Sequence, residues 1–544
     1  MAICSVYFVT VPNHVNHAGM QGRINAYMKI ERAQNATRNI AFGLISRIYG
    51  ILIPFLMRSA MIYFMGIEYL GLNGLFASIL QVLNLAELGV SSAMVYSMYK
   101  PIAQDDEVTI CALMKLYRLY YRVIGIVVAV LGVVLLPFLP RLIHSDLPPD
   151  VDLTVLYVLH LSATVFSYWL FAYKNSLFQA HQREDIISKI SIVVDTIKYV
   201  AQLLVLIFLK DYYIYILIVL LSQILSNIVT AIVAERTYPN YKPKGELPQE
   251  EKRAINQRIK DLFTAKIGAV LSLSVDDMVI SAFIGLSMVA IYQNYYFIMK
   301  AVITIVLIFF SSCTAGVGNS LVTESTEKNY NDFRILAFLT IWVCVICVSC
   351  FACLYQPFME IWVGEEYLLP DLMIALMCSY FFVYIMQIMS CVYKDAAGIW
   401  HQDRFRPIIT GVLNLSLNIL FVQTWGVYAV VISTIISYVF VAMPWIIKNL
   451  FDLVFKRSAK EYVAELFKGA GIAAVSGIIC YFIGIIIPVN GFGGLLLRLL
   501  IALVISNVLI IVLRRRNPMY NPSIAFIDKI TRFKITKLLE MIKT

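Results

Sequence analysis

Arg47 and Arg58 stand eleven residues apart inside one apolar run, residues 40–65. At about 100° per helical residue, eleven steps close three turns with roughly 20° to spare, so the two guanidinium groups share a helix face. Pro54 lies close to that face and allows a bend there. Lys266 and Asp277 repeat the spacing in the run 262–284, and Lys300 falls in the next run. A charge at mid-bilayer costs at least about 2.5 kcal/mol unless it is paired or wetted. A face carrying several cations therefore predicts a wet, largely cationic cavity. Such a cavity attracts an anion, and the arginine fork suits the oxygens of a phosphate. The acids Glu87, Asp276 and Asp277 could hold the cations in register, with Glu87 paired to Arg47, or take up a proton or Na⁺ as part of coupling. The plainer alternative for all these charges is helix–helix pairing that only fixes packing. Asp195 and Lys198, three residues apart, read mainly as such a neutralised pair.

Two further lysines come as a repeat. Tyr173, Lys174, His181 and Gln182 recur as Tyr393, Lys394, His401 and Gln402, each 220 positions on. Ser91 and Ser92 map in the same way to Ser311 and Ser312, and a one-residue slip maps Gly66 to Gly285, Arg47 to Lys266 and Arg58 to Asp277. Lys174 and Lys394 fall near the ends of apolar runs. Either they snorkel to the interface, or they guard the inner mouth of a cleft between two halves. The two histidines are too far apart in sequence to argue for a metal site. Cys344, Cys347, Cys350 and Cys353, at spacings of three, sit in a uniformly apolar stretch and read as small side chains packing between helices. No metal and no organic cofactor is expected.

The elements that must carry these residues are membrane spans. The chain of 544 residues is 60% hydrophobic and only 14% charged, against about 25% charged in soluble domains. Fourteen apolar runs of spanning length lie near residues 40–65, 72–97, 122–140, 154–178, 186–209, 213–235, 262–284, 289–318, 335–356, 371–395, 407–423, 425–447, 467–488 and 494–513. In lipid they must be helices, and the short alternating segments of a barrel are absent. The repeat maps the first six spans onto the next six, with two more added at the end. Because six is even, both copies insert the same way up, related by an axis along the membrane normal. The expected fold is an all-α integral membrane protein of about fourteen transmembrane helices: two pseudo-symmetric six-helix bundles plus two C-terminal helices. Its parts are a tail at 1–35, an N-lobe at 36–235, a linker at 236–261, a C-lobe at 262–447, two extra spans at 448–513 and a basic tail at 514–544.

Lys and Arg gather in alternate loops, leaving only Arg141, Lys210 and Arg498 for the other side. That asymmetry places both termini in the cytoplasm. Residues 1–27 lack the marks of a signal peptide, and Met20 and Met28 are alternative starts. The C-terminal stretch "IAFIDKITRFKITKLLEMIK" suits either a basic amphipathic helix on the inner leaflet or a solvated tail. The net charge of +10 comes without any basic patch interleaved with aromatics, so no nucleic-acid partner is expected.

The segment "NLAELGVSSAMVYSMYKPIAQDDE" at 84–107, the fourteen-span layout and the duplicated bundle together resemble the polysaccharide transporter family, flippases of the Wzx or RfbX kind. That family belongs to the multidrug/oligosaccharidyl-lipid/polysaccharide (MOP) exporter superfamily, and the resemblance covers roughly residues 36–513. It implies a MATE-like fold in a bacterial cell membrane, with a cationic cavity between two lobes. It also implies an anionic undecaprenyl-diphosphate-linked oligosaccharide as cargo, carried from the inner to the outer leaflet for cell-surface polysaccharide synthesis. A polysaccharide polymerase and glycosyltransferases would act beside it. The match reaches Glu87 directly; Arg47, Arg58 and Lys174 rest on their position in the spans, and no family pattern covers Asp276–Asp277. The substrate-binding set expected here is Arg47, Arg58, Lys174, Lys266, Lys300 and Lys394.

Two rivals remain. A MATE-type drug or metabolite exporter, driven by a coupling cation, should have an acidic cavity. A membrane polymerase or glycosyltransferase needs a large outer loop or catalytic domain, and every loop here is short. The expectation is a transporter, not an enzyme.

Overall fold

The computed structural model describes residues 20–531 except 88, 145–146 and 488–490; side chains at 20–37, 40–41, 86, 261, 264–274, 315 and 529–531 are left aside. Among the described residues every regular element is helical. The N-lobe comprises α1 (Met20–Phe64), α2 (Ile67–Leu83), α3 (Val90–Ala103), α4 (Glu107–Leu135), α5 (Leu153–Trp169), α6 (Asn175–Ala180), α7 (Glu184–Phe208) and α8 (Tyr212–Thr237). The C-lobe comprises α9 (Gln249–Phe283), α10 (Leu286–Thr323), α11 (Thr326–Val363), α12 (Asp371–Ala396), α13 (Trp400–Asp403), α14 (Arg406–Trp425), α15 (Val427–Ser437) and α16 (Met443–Asn449). Then follow α17 (Lys460–Ile486), α18 (Gly491–Arg514) and α19 (Tyr520–Thr531).

Each lobe closes around its own apolar core, one built on Phe76, Met94, Tyr157 and Phe178, the other on Phe333, Phe381, Met386 and Phe451. The duplication is visible in the backbone. Gly66 and Gly285 occupy the same junction, between α1 and α2 and between α9 and α10, with φ of 115° and 132°. Side chains rarely adopt that conformation, so the turn between paired helices selects glycine in both copies.

Eleven described helices are long and apolar enough to cross a membrane, or twelve if the bent pair Leu153–Trp169 and Ala172–Ala180 is one span. The protein is therefore multi-pass, but the count of fourteen is not reproduced. With the bent pair counted, two of the expected runs are not among these helices. The run 72–97 is split into α2 and α3 by a 3₁₀ turn at Asn84–Glu87 and a left-handed Gly89. The run 262–284 lies in α9, which brings Lys266, Asp276 and Asp277 into its apolar half.

The linker also differs from the expected 236–261. Only 238–248 is irregular, and 249–261 is helical, continuous with α9. This stretch carries apolar residues that dock under the N-lobe: Leu247 and Ile255 join its core, and Tyr120 Oη donates to Asn256 Oδ1 at 2.6 Å. A polar-looking segment thus clamps the C-lobe's first helix to its neighbour.

The lobes are packed on each other at the end of the bundle carrying Phe64, Gly285 and Val363. Trp362 Nε1 donates to Ser59 Oγ at 2.7 Å, and its ring stacks on Phe55 at 4.4 Å. His144 N donates to Ser281 O at 3.0 Å, and Ser281 Oγ returns a bond to Leu142 O at 2.6 Å. Gly71 on α2 lies against the Leu286 carbonyl of α10, where any Cβ would collide. Toward the other, basic end α9 still packs on the N-lobe, with Gly89 close against Leu262 and Ile259, while Gly50 on α1 and Gly316 on α10 face open space among the described residues.

Gly71→Val should push α2 from α10 and lower thermal stability in detergent by about 1–3 kcal/mol, as overpacking does. Gly316→Val, facing open space, should stay within about 0.5 kcal/mol. Equal melting of the two variants would contradict this account of the seal.

Candidate functional site

A cavity of about 440 Å³ lies between the lobes, within the range of about 300–1,000 Å³ typical of ligand pockets. The N-lobe supplies Arg58 from α1 and Asn73, Gly74, Ala77, Ser78 and Gln81 from α2. The C-lobe supplies Asp276 and Asp277 from α9, with Tyr292, Gln293, Tyr296, Phe297 and Lys300 from α10. Tyr380 and Tyr384 of α12 and Thr434 of α15 add polar groups, and Ile303, Leu307 and Val431 are among its apolar lining.

The repeat explains this lining. With Gly66 set on Gly285, Asn73 falls on Tyr292, Gly74 on Gln293, Ala77 on Tyr296 and Gln81 on Lys300. The same helix face points inward in both lobes, but the copies have diverged in chemistry. Arg58 falls on Asp277, so one position has become a cation in one lobe and an anion in the other.

These two groups are joined through an amide. Arg58 Nη2 donates to Gln293 Oε1 at 3.2 Å, and Gln293 Nε2 donates to Asp277 Oδ2 at 2.8 Å. Arg58 Nη1 also donates to Asn294 Oδ1 at 2.8 Å, and its guanidinium lies 5.3 Å from the Phe297 ring centre. Ser78 Oγ adds a bond to Asp277 Oδ2 at 2.6 Å from the N-lobe side. The bridge fits because Gly74 has no side chain; a Cβ there would strike the Gln293 amide.

Asp276 belongs to a second set facing α14 and α15. Asn418 Nδ2 donates to Asp276 Oδ1 at 2.8 Å, and Asn414 Nδ2 donates to Thr434 Oγ1 at 2.9 Å. Asn418 is fully buried, yet its Oδ1 has no hydrogen-bond partner among the described residues. Carboxylate, amide and hydroxyl oxygens around an orphaned acceptor are the donor set a hard cation takes.

The remaining candidates fall elsewhere. Arg47 is exposed and does not line the cavity. The expected Arg47–Glu87 pair is absent among the described residues; Glu87 instead accepts from Tyr121 Oη at 2.5 Å and Tyr168 Oη at 2.9 Å. The reason is the split in the second span, which sets Glu87 in the 3₁₀ turn beside α4 and α5. Lys174 and Lys394 do not guard the cleft. Lys174 is buried and bound to Glu235 of its own lobe. Lys394 is buried between Asp395 at 2.7 Å and Asp403 at 3.1 Å, and Asp403 also takes a two-pronged bond from Arg406. The repeated lysines hold each lobe together at its basic end. The side chain of Lys266 lies outside the described residues. Asp195 and Lys198 pair at 2.6 Å, as the spacing suggests. The four regularly spaced cysteines run along α11, and no cluster suited to a metal occurs among the described residues.

Sequence reasoning missed Ser78, Gln293, Asn418 and the tyrosines. The 219-residue register between Gly66 and Gly285, followed along α2 and α10, would have found Gln293 and two of the tyrosines.

The model of the family described as "Polysaccharide biosynthesis protein" matches residues 36–315, more than half the chain. The chain belongs to that family. No curated protein matches it. Among solved structures it is similar to the lipid II flippase MurJ in an inward closed conformation, with TM-score 0.62, 13% identity and coverage of 88% of this chain and 99% of that one. It is also similar to an inward-facing multidrug resistance MATE family transporter of the MOP superfamily, with TM-score 0.56, 15% identity and coverage of 78% and 99%. At such identities the likeness is one of fold, and this polysaccharide biosynthesis protein has the fold of that superfamily.

The ion pairs and the cavity cations should behave differently on truncation. Lys394→Ala leaves Asp395 and part of Asp403 unpaired and should lower detergent melting by roughly 1–3 kcal/mol. Lys300→Ala, exposed to the cavity and without an ion pair among the described residues, should cost less than about 0.5 kcal/mol. The reverse order would contradict the assignment of structural and cavity roles.

Proposed function

We propose that the protein is a flippase that carries an undecaprenyl-diphosphate-linked oligosaccharide from the inner to the outer leaflet of a bacterial cell membrane by alternating access. The single observation that carries this reading is the inter-lobe cavity with Arg58 from one lobe and Lys300 from the other. Family membership in polysaccharide biosynthesis supports the cargo class, and the shared fold with a lipid II flippase supports the mode of movement. The two cations would hold the diphosphate while the prenyl tail stays in lipid, and the lobes would rock about their sealed end. Loop charges support an orientation with both termini in the cytoplasm. Glycosyltransferases would supply the cargo and a polymerase would consume it.

The acids of the cavity would serve coupling. Asp276, Asn414, Asn418 and Thr434 would hold Na⁺ or a proton in the C-lobe, and Asp277 would hold Arg58 in place through Gln293. Two buried acids beside two bases also favour a second reading, export of an organic cation.

In proteoliposomes, exposure of the labelled glycan on the far leaflet should slow at least about tenfold in Arg58→Ala and Lys300→Ala, the loss of a charge-assisted contact. Asp276→Asn should abolish stimulation by Na⁺ or by a pH gradient. Unchanged flipping in both basic variants would reject the flippase reading; loss of organic-cation efflux in Asp276→Asn and Asp277→Asn would favour the exporter.

A further inference from the structure

The two walls of the cavity differ in kind. The α2 wall offers Asn73, Gly74, Ala77 and Gln81, all small or amide-bearing. The facing wall of α10 and α12 carries four tyrosines, beside Gln293, Phe297 and Lys300. Tyr292 and Tyr296 stand one turn apart on α10, with ring centres 6.1 Å apart, and Tyr380 and Tyr384 stand one turn apart on α12, with centres at 5.5 Å. Tyr296 and Tyr380 join the two pairs at 6.4 Å. Behind them Tyr438 meets Tyr380 at 6.4 Å and Tyr384 at 5.8 Å. Tyr438 opens a π-helical turn, Tyr438–Ala442, and such turns concentrate at functional sites.

The tyrosines are a departure within the duplication. Where α10 has Tyr292 and Tyr296, α2 has Asn73 and Ala77. Symmetric packing of the lobes therefore does not require aromatic rings at these positions. Tyr292 and Tyr380 are largely buried in the C-lobe core, whereas Tyr296 and Tyr384 are half-buried and open onto the cavity. That half-buried pair, rings with hydroxyl edges facing a hollow, suits a ligand with both C–H faces and hydroxyl groups.

We propose that this tyrosine wall is a saccharide subsite: it receives the first sugars of the lipid-linked cargo, while Arg58 and Lys300 hold the diphosphate. The inference rests on the flippase reading above and adds the part of the cargo that the cations leave unread. A pyranose offers C–H groups on one face, which lie well against the negative face of an aromatic ring. Its hydroxyls can exchange hydrogen bonds with phenol groups, which both donate and accept. Along α10, Tyr292 to Lys300 is eight residues, a rise of about 12 Å, so the wall begins deeper than the lysine and runs beside it. A prenyl chain would find hydroxyls along this path that it cannot satisfy, so the tail is the less suited occupant.

The test uses the purified full chain in detergent and two probes: a short prenyl diphosphate without sugar, and the same prenyl diphosphate bearing one sugar, drawn from a panel of hexose, N-acetylhexosamine and hexuronic acid. At least one sugar-bearing probe should bind the wild-type protein more tightly than the bare diphosphate. Tyr296→Ala and Tyr384→Ala should remove that gain, roughly fivefold to tenfold, and leave the bare diphosphate unchanged. Tyr384→Phe, which keeps the ring, should retain most of it. If the alanine variants do not fold, Tyr384→Leu replaces the ring at similar bulk and should show the same selective loss. If the tyrosine variants weaken both probes alike, or neither, the saccharide wall is overturned and the flippase reading stands. If an aromatic organic cation loses more affinity than the sugar probes on Tyr296→Ala, the wall is a cation site and the proposal is also overturned. If the wild-type chain binds neither diphosphate probe, it is the flippase reading that fails.

Discussion

A polar group placed inside a bilayer needs a partner within the protein or a wet cavity beside it, and this constraint shapes the centre of the molecule. Its clearest product is the chain Arg58–Gln293–Asp277, a cation of one lobe joined to an anion of the other by a single amide. A direct ion pair would neutralise both charges and close the space between them. The amide relay separates the charges and keeps the guanidinium facing a hollow. Gly74 is the concession that makes room for it. Since the relay crosses the lobe boundary, anything that competes for Arg58 also loosens one tie between the lobes. On the proposed reading, the arrival of an anionic head would act on the contact that helps hold the halves together.

The fixed parts of the fold support this arrangement. Around Phe55, Ser59, Gly71 and Trp362 the lobes are packed against each other, and at the basic end each lobe is stapled internally by Lys174 or Lys394. The helical linker on α3 and α4 ties α9 to the N-lobe without filling the centre. On the proposed reading, two internally packed halves with a polar hollow between them would be able to rock. The break in the second span has a different use. It brings the Glu87 carboxylate against two phenols of the N-lobe, a way to satisfy an acid that has no cation beside it among the described residues.

Much of the architecture was legible in the sequence because a duplication and a membrane each leave strong periodic marks. Apolar runs gave the helices, and the repeated glycines and charges gave the register that the backbone obeys at Gly66 and Gly285. Arg58, Lys300, Asp276 and Asp277 were recognised as unusual because a charge in an apolar run has few explanations, and they do meet in one cavity. Pairings were much less legible. Lys174 finds Glu235 and Lys394 finds Asp403, and neither choice follows from spacing along a single helix. Arg47 and Glu87 looked equally deep, but the 3₁₀ turn rotates the acid toward α4 and α5. The tyrosines passed unnoticed because an aromatic residue in an apolar run looks like core until the opposite wall is known.

The most direct test of the central claim is a cryo-electron microscopy map of the chain bound to a prenyl diphosphate. The account predicts phosphate oxygens about 2.7–2.9 Å from the Arg58 guanidinium and the Lys300 ammonium, inside the inter-lobe cavity. Density for the diphosphate outside that cavity, with Arg58 still bound to Gln293 and Asn294, would contradict it.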